Sequence, residues 1–144
     1  MLSILSALPL LLQGGPPPGY NWTLNPANGH YYTLTASMQW PDAAAEAARL
    51  GPGASLVTIR NLDEQHWLWL TIAGQNQAWT GYNDIGHEGT WTWWNGEVTP
   101  FWAANGYFGR NGEPGYWLSN QPDNAGANEN YCHLSTAERW NDSG

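Results

Sequence analysis

Hydrophobic and polar positions fall into short, separate patterns along this chain. His30-Tyr31-Tyr32-Thr33-Leu34-Thr35 is rich in aromatic and β-branched residues and predicts a first strand. Trp40-Pro41-Asp42 opens an Ala-rich helix that runs to Leu50; proline suits the first helical turn and alanine is the best helix former. Gly51-Pro52-Gly53 stops that helix, and Ala54 to Ile59 predicts a short strand, apolar at Leu56, Val57 and Ile59. Asn61-Leu62-Asp63-Glu64 has the form of a capping box with Asn as the cap, starting a helix to about Ile72 with Trp67, Leu68 and Ile72 on its inner face. Trp79-Thr80-Gly81-Tyr82 predicts a strand. Gly89-Thr90-Trp91-Thr92-Trp93 alternates as a half-buried strand does. From Asn95 to Asn128 no period is visible, and a stretch that long without one inside a domain is usually functional. Glu129 to Leu134 and Glu138 to Asn141 predict two closing strands.

The ends read differently. Leu2 to Leu12 is an apolar run too short to span a bilayer. It has the look of a signal-peptide core, but no Lys or Arg precedes it, so a secretory leader and an accident of where the chain begins both remain open. Gln13 to Gly19, with three consecutive prolines, reads as a linker. The expected division is therefore a leader-like segment and linker over 1–19 and one domain over 20–144.

Composition narrows the function. Formal net charge is −8, there is no Lys, and the four basic residues are Arg49, Arg60, Arg110 and Arg139. Nucleic acid and anionic membrane surfaces need a basic patch, so both are excluded, whereas a cation binder fits. Cys132 is the single cysteine, so no internal disulfide can form, and it reads as a small strand residue. His30, His66, His87 and His133 form no metal-spaced pair, and no nucleophile–base arrangement stands out, which argues against an enzyme. The matches to glycosylation acceptors at Asn21 and Asn141 read as chance.

One stretch concentrates chemistry: Gln121-Pro122-Asp123-Asn124-Ala125-Gly126-Ala127-Asn128-Glu129, followed by Trp140-Asn141-Asp142. Gln121, Asp123, Glu129, Asn141 and Asp142 all offer oxygen, and hard oxygen ligands at this density suit Ca²⁺. A cis bond at Pro122 can turn Gln121 and Asp123 toward one ion. Asn, Asp, Gly and Pro are also turn residues, so by itself the stretch reads equally as an acidic surface turn.

Gln-Pro-Asp, the Glu eight residues after Gln121, and Trp-Asn-Asp together resemble the primary calcium and sugar site of C-type lectin domains. Trp79-Thr80-Gly81-Tyr82 is similar to the family's central strand signature, and Trp117 stands where the family keeps a core Trp. The resemblance covers roughly Gly29 to Asp142. It implies an α+β C-type lectin-like fold with two helices flanking small antiparallel sheets and a long calcium-binding loop region. It also implies a last strand, after Trp-Asn-Asp, that pairs with the first strand; the chain stops at Gly144, so that strand is expected to be missing. Lack of a disulfide resembles bacterial rather than animal versions of the domain.

The resemblance assigns Ca²⁺ as cofactor, with Gln121, Asp123, Glu129, Asn141 and Asp142 as ligands, and the first four also as sugar-binding residues. Asp142 is expected to add its backbone carbonyl. Gln-Pro-Asp members resemble galactose binders, although good ones place an aromatic directly after the motif, where this chain has Asn124. Trp102, Tyr107, Phe108 and Tyr116, in what looks like an insertion from Phe101 to Tyr116, are candidate substitutes. Asp84, Glu88 and Asn124 match a second calcium site by spacing, with a solvated acidic turn as the alternative reading. The expected activity is calcium-dependent binding of a galactose-type glycan by a secreted or cell-surface protein. A protein-binding or adhesin domain with structural calcium is the alternative. Ice binding is a third reading.

Overall fold

The computed structural model describes residues 1–9 and 15–144. Eight strands and three helices follow one another as β1 (Leu2–Ala7), β2 (Thr23–Leu24), β3 (Tyr31–Leu34), α1 (Trp40–Arg49), β4 (Ala54–Leu56), α2 (Leu62–Trp67), β5 (Ala78–Asn83), β6 (Thr92–Trp93), α3 (Phe101–Ala104), β7 (Tyr131–Leu134) and β8 (Trp140–Ser143). The strands share one sheet ordered β2-β3-β1-β5-β7-β8, with β4 also on β1 and β6 also on β5. The arrangement is α+β, as expected. It differs in two details: a third, short helix forms inside the long loop, and one pair, β1 with β5, is parallel.

The largest departure from the sequence reading is β1. Leu2–Ala7, part of the run left open between a leader core and an accident of where the chain begins, lies in the middle of the sheet, antiparallel to β3 and β4. It pairs with β3 from Ile4 opposite Leu34 to Ala7 opposite Tyr31, so β1 takes the position expected of a strand after Asp142. Successive side chains on a strand face opposite ways. Ile4 enters a core with Tyr32, Val57, Leu68 and Trp140, while Leu5 enters a second core with Trp40, Ala43, Ala47 and Trp79. A strand buried on both faces reads as a continuous apolar run without alternation, which is why the pattern alone resembles a leader. Residues 10–14, the last part of the leader-like run and the start of the linker, lie outside the described residues.

The two main helices form where their signals predict. Pro41 stands in the first turn of α1, and small Ala43, Ala44 and Ala47 bring it close to the sheet. Trp40 at its start is buried and donates from Nε1 to Thr80 O at 2.7 Å. At α2 the Asn61 side chain accepts from Glu64 N at 2.9 Å. The reciprocal half of the box falls one residue earlier, because Glu64 Oε2 accepts from Arg60 N at 2.8 Å. Glu64 is buried and also takes Tyr32 OH and Arg60 Nη1, while Arg60 Nε and Nη2 reach Glu97. Beyond Trp67 the helix widens into a π-type turn over Leu68–Ile72, with Leu68 fully buried. The strand expected from Gly89 shortens to Thr92–Trp93, yet Trp91 and Trp93 are both buried as the alternation requires.

Gly81 in β5 shows why the central signature carries a glycine. A Cβ there would stand 3.1 Å from both Leu56 O and Val57 O, and Gly81 N donates to Val57 O at 2.9 Å. The larger core is a tryptophan cluster: Trp140 lies 4.8 Å from Trp102, 5.8 Å from Trp117 and 5.4 Å from Tyr82, centroid to centroid. Cys132 is fully buried in this core, and burial pushes its thiol far above the usual range, which fits a packing role.

His133 in β7 gives a first prediction. It is 4 % exposed, and burial lowers its pKa from 6.5 to about 4. Below the unfolded value the unfolded chain takes up a proton that the native imidazole refuses. The contribution of His133 is therefore complete above about pH 6.5 and is lost as pH falls toward 4, by roughly 3 kcal/mol in total. Buried carboxylates such as Asp84 work in the opposite direction. The measurement is thus a comparison of urea stability against pH for the parent and His133→Gln. Parallel curves between pH 4 and 6.5 would refute the assignment.

Candidate functional site

β8 brings Asp142 to the sheet edge opposite Cys132, and the loop before β7 brings Asp123 and Glu129 to meet it. One carboxylate oxygen from each of the three lies within 4.8 Å of the others. Asp142 is fully buried, Glu129 half-buried and Asp123 exposed, so the cluster opens outward. Its shape is held by the backbone. Asn124, at φ 48° and ψ 49°, donates its N–H to Asp142 Oδ2 at 2.7 Å, and its side-chain Oδ1 accepts from Glu129 N at 3.1 Å. Ala125 N donates to Glu129 Oε2 at 2.7 Å. The Gln121-Pro122 bond is cis.

The charges in this cluster work against one another. Burial, followed by the negative charges of Asp142 and Asp123, raises the Glu129 carboxyl above its ordinary range. Asp142 Oδ1 and Gln121 Oε1 are both buried without a hydrogen-bond partner. Leaving a buried acceptor unsatisfied costs about 1–3 kcal/mol. Three converging carboxylates, one of them with a buried orphaned oxygen, are a donor set that a hard divalent cation satisfies. The residues present therefore fit Ca²⁺.

The other expected ligands are placed less uniformly. Asn141 Nδ2 donates to Asp142 O, so the backbone carbonyl expected as a ligand is engaged by its neighbour's side chain. Asp84 is buried, with Oδ2 accepting from Gly89 N at 2.8 Å and Oδ1 unpartnered, while Glu88 is exposed. Both carboxyls are raised, chiefly by burial, and each senses the charge of Asp142. Asn124, expected beside Asp84 and Glu88, bonds to Asp142 and Glu129 through the contacts above.

The long loop packs onto the Gln121 side of the cluster. Arg110 N donates to Gln121 O at 2.8 Å, and a Cβ on Gly109 would meet Pro122 Cδ at 2.6 Å and Gln121 O at 2.7 Å. Glycine is the residue that allows this approach. Of the four aromatics named as stacking candidates, Trp102 is buried and Tyr107 and Tyr116 pack on the core. Phe108 is 51 % exposed and lines a groove that Gln121 also lines. Sequence reasoning missed Gly109 and the arginines of that groove, because their proximity to Gln121 arises only when the loop folds back.

Residues 36–144 match the Lectin C-type domain family, and the chain belongs to that family. The family is one of non-enzymatic, carbohydrate-binding domains, generally calcium-dependent. Lectin BRA-3 of Megabalanus rosa is 36 % identical over 98 residues, covering 67 % of this chain and 52 % of that protein. C-type lectin domain family 4 member M of Hylobates lar is 31 % identical over 123 residues, covering 85 % of this chain and 27 % of the relative. The chain thus spans about half or less of the length of these relatives. Among solved structures, the C-type lectin CEL-I of Cucumaria echinata superimposes with a TM-score of 0.70 at 22 % identity, over 85 % of this chain and 86 % of that one, a likeness of fold. Among the described residues no helix is long and apolar enough to cross a membrane.

Proposed function

We propose that this domain binds glycans through a calcium ion held by Gln121, Asp123, Glu129, Asn141 and Asp142, and that its preference is for galactose-type sugars. The observation that carries the reading is the convergence of Asp123, Glu129 and Asp142 within 4.8 Å, with one Asp142 oxygen buried and unpartnered. Bound there, Ca²⁺ would offer coordination positions to two adjacent sugar hydroxyls. The chain's own groups orient the sugar. A carboxylate such as Asp123 only accepts hydrogen bonds, whereas the Gln121 and Asn141 amides also donate, so the order of amide and acid along the motif sets which hydroxyl fits where. Phe108 supplies an exposed ring near Gln121, in place of the aromatic absent after Asp123. Asp84 and Glu88 form a second, weaker candidate calcium position next to Asp142. The setting we propose is secreted or cell-surface.

The test is retention on galactose-agarose in millimolar Ca²⁺ with release by EDTA. A protein that binds Ca²⁺ but passes through galactose and mannose resins alike would exclude the sugar reading. One observation favours the alternative, a protein-binding domain with structural calcium. Trp94 is 51 % exposed and Val98 82 % exposed beside an apolar groove far along the chain from Gln121.

A further inference from the structure

The four arginines divide into two pairs with different surroundings. Arg49 is paired with Glu46 at 2.6 Å, and Arg60 with both Glu64 and Glu97 at 2.9 and 2.6 Å. Arg110 and Arg139 have no carboxylate partner among the described residues. Both unpaired arginines line one groove of about 450 Å³, together with Phe108, Trp117, Asn120 and Gln121.

The groove is built rather than incidental. Arg139 lies with its guanidinium carbon 4.0 Å from the centre of the Tyr116 ring, which holds the side chain in place by a cation–π contact. Arg110 is anchored through its backbone N–H to Gln121 O at 2.8 Å. Trp117 is 4 % exposed, lines the same groove, and its Nε1 donor has no partner among the described residues. The wall therefore offers two arginine side chains with no carboxylate partner among the described residues, with the exposed Phe108 ring beside them. Gln121 is at once a wall of this groove and a member of the proposed calcium site.

We infer that the groove is a subsite for an anionic substituent, a carboxylate or a sulfate, on the glycan bound at the neighbouring calcium position. This rests on the glycan reading above and deepens it from neutral galactose to an acidic galactose-type sugar. Guanidinium groups recognise both anions through paired N–H donors, and the two differ in how many oxygens they present. Arg110 and Arg139 supply the charge, Phe108 the apolar face, and Gln121 joins the two subsites.

The experiment is calorimetric titration of the Ca²⁺-saturated full chain with methyl galactoside, galactose 6-sulfate and galacturonic acid, for the parent, Arg110→Gln/Arg139→Gln and Arg139→Lys. A preceding Ca²⁺ titration and a melting curve confirm that each variant loads the ion and is folded. The expected result is binding of at least one acidic sugar about tenfold tighter than the neutral one. That preference should shrink in high salt, disappear in the double variant with the neutral affinity unchanged, and be partly kept by Arg139→Lys. The sulfated and carboxylated arms tell which anion is preferred. Acidic sugars that bind no tighter than methyl galactoside overturn the subsite and leave the galactose reading standing. So does a preference that survives removal of both arginines. If an acidic sugar binds and the neutral one does not, the subsite stands and the galactose reading is corrected. Should none of the three bind the calcium-loaded protein, both are overturned.

Discussion

Calcium in hundredfold excess over its dissociation constant is expected to stabilise the folded chain by about 2.7 kcal/mol. For a domain of this size that corresponds to a rise in Tm of roughly 5–11 °C. The cause is local. Asp123, Glu129 and Asp142 meet within 4.8 Å, and Asp142 is fully buried with one oxygen unpartnered. Without a cation, that arrangement combines charge repulsion with a desolvated acceptor. Asp142→Asn should therefore lose the calcium-dependent rise and, by removing one of the opposed charges, lie close to or above the parent in EDTA. Differential scanning calorimetry of both proteins in Ca²⁺ and in EDTA reads this directly. Identical parent melting curves in the two conditions would mean that the cluster holds no ion.

Replacing Trp140 should have the largest effect on stability. Trp140→Ala is expected to cost about 3–5 kcal/mol from lost burial and the cavity left behind. The side chain is fully buried among Trp93, Trp102, Trp117 and Tyr82, and its Nε1 donates to buried Gln65 at 2.9 Å. Truncation leaves that Gln65 oxygen unsatisfied as well. Against a total stability of about 5–15 kcal/mol, the variant should be marginal. The loss reaches the site because the Trp140 backbone clamps the long loop: its N–H donates to Tyr116 O at 2.9 Å, and its carbonyl accepts from Leu118 N at 2.8 Å. Asn141 and Asp142 follow directly. Trp140→Phe, which keeps a ring and loses the N–H, should cost less. Urea titrations of the three proteins test the order, and a Trp140→Ala penalty below 1 kcal/mol would show that the cluster relaxes around the hole.

Where a local rule governs the backbone, the chain was readable from its residues. Pro41 with an alanine run gives α1, Asn61 caps α2 through Glu64 N, and alternating Thr and Trp give the inward-facing Trp91 and Trp93. β1 escaped because both its faces are buried, which erases the alternation that marks a strand. The long loop escaped because bonds to distant residues shape it, such as Trp102 Nε1 to Ile59 O and Tyr82 OH to Pro114 O. At the candidate site, residue type, spacing and the family resemblance together named Asp123, Glu129 and Asp142, whose carboxylates the fold brings within 4.8 Å of one another. What could not be read was hydrogen-bond state: that Asn141 engages the Asp142 carbonyl, that Asp142 Oδ1 stays unpartnered, or that two of four arginines find no acid among the described residues. Those are properties of side chains from separate elements meeting in space.

The aromatic cluster gives the protein an internal optical gauge. Trp91, Trp117, Trp140 and Trp102 form a chain of rings with successive centroid separations of 4.8, 5.8 and 4.8 Å and interplanar angles of 70°, 80° and 69°. Indoles so close and so steeply inclined share their excited states, so they should produce paired circular-dichroism bands of opposite sign. That signal depends on fixed ring geometry and vanishes when packing loosens even if secondary structure persists. Because Trp117 also lines the arginine groove, a sugar entering there would perturb the first link of the chain. Ligand occupancy and core rigidity could then be followed in one spectrum, with no label attached.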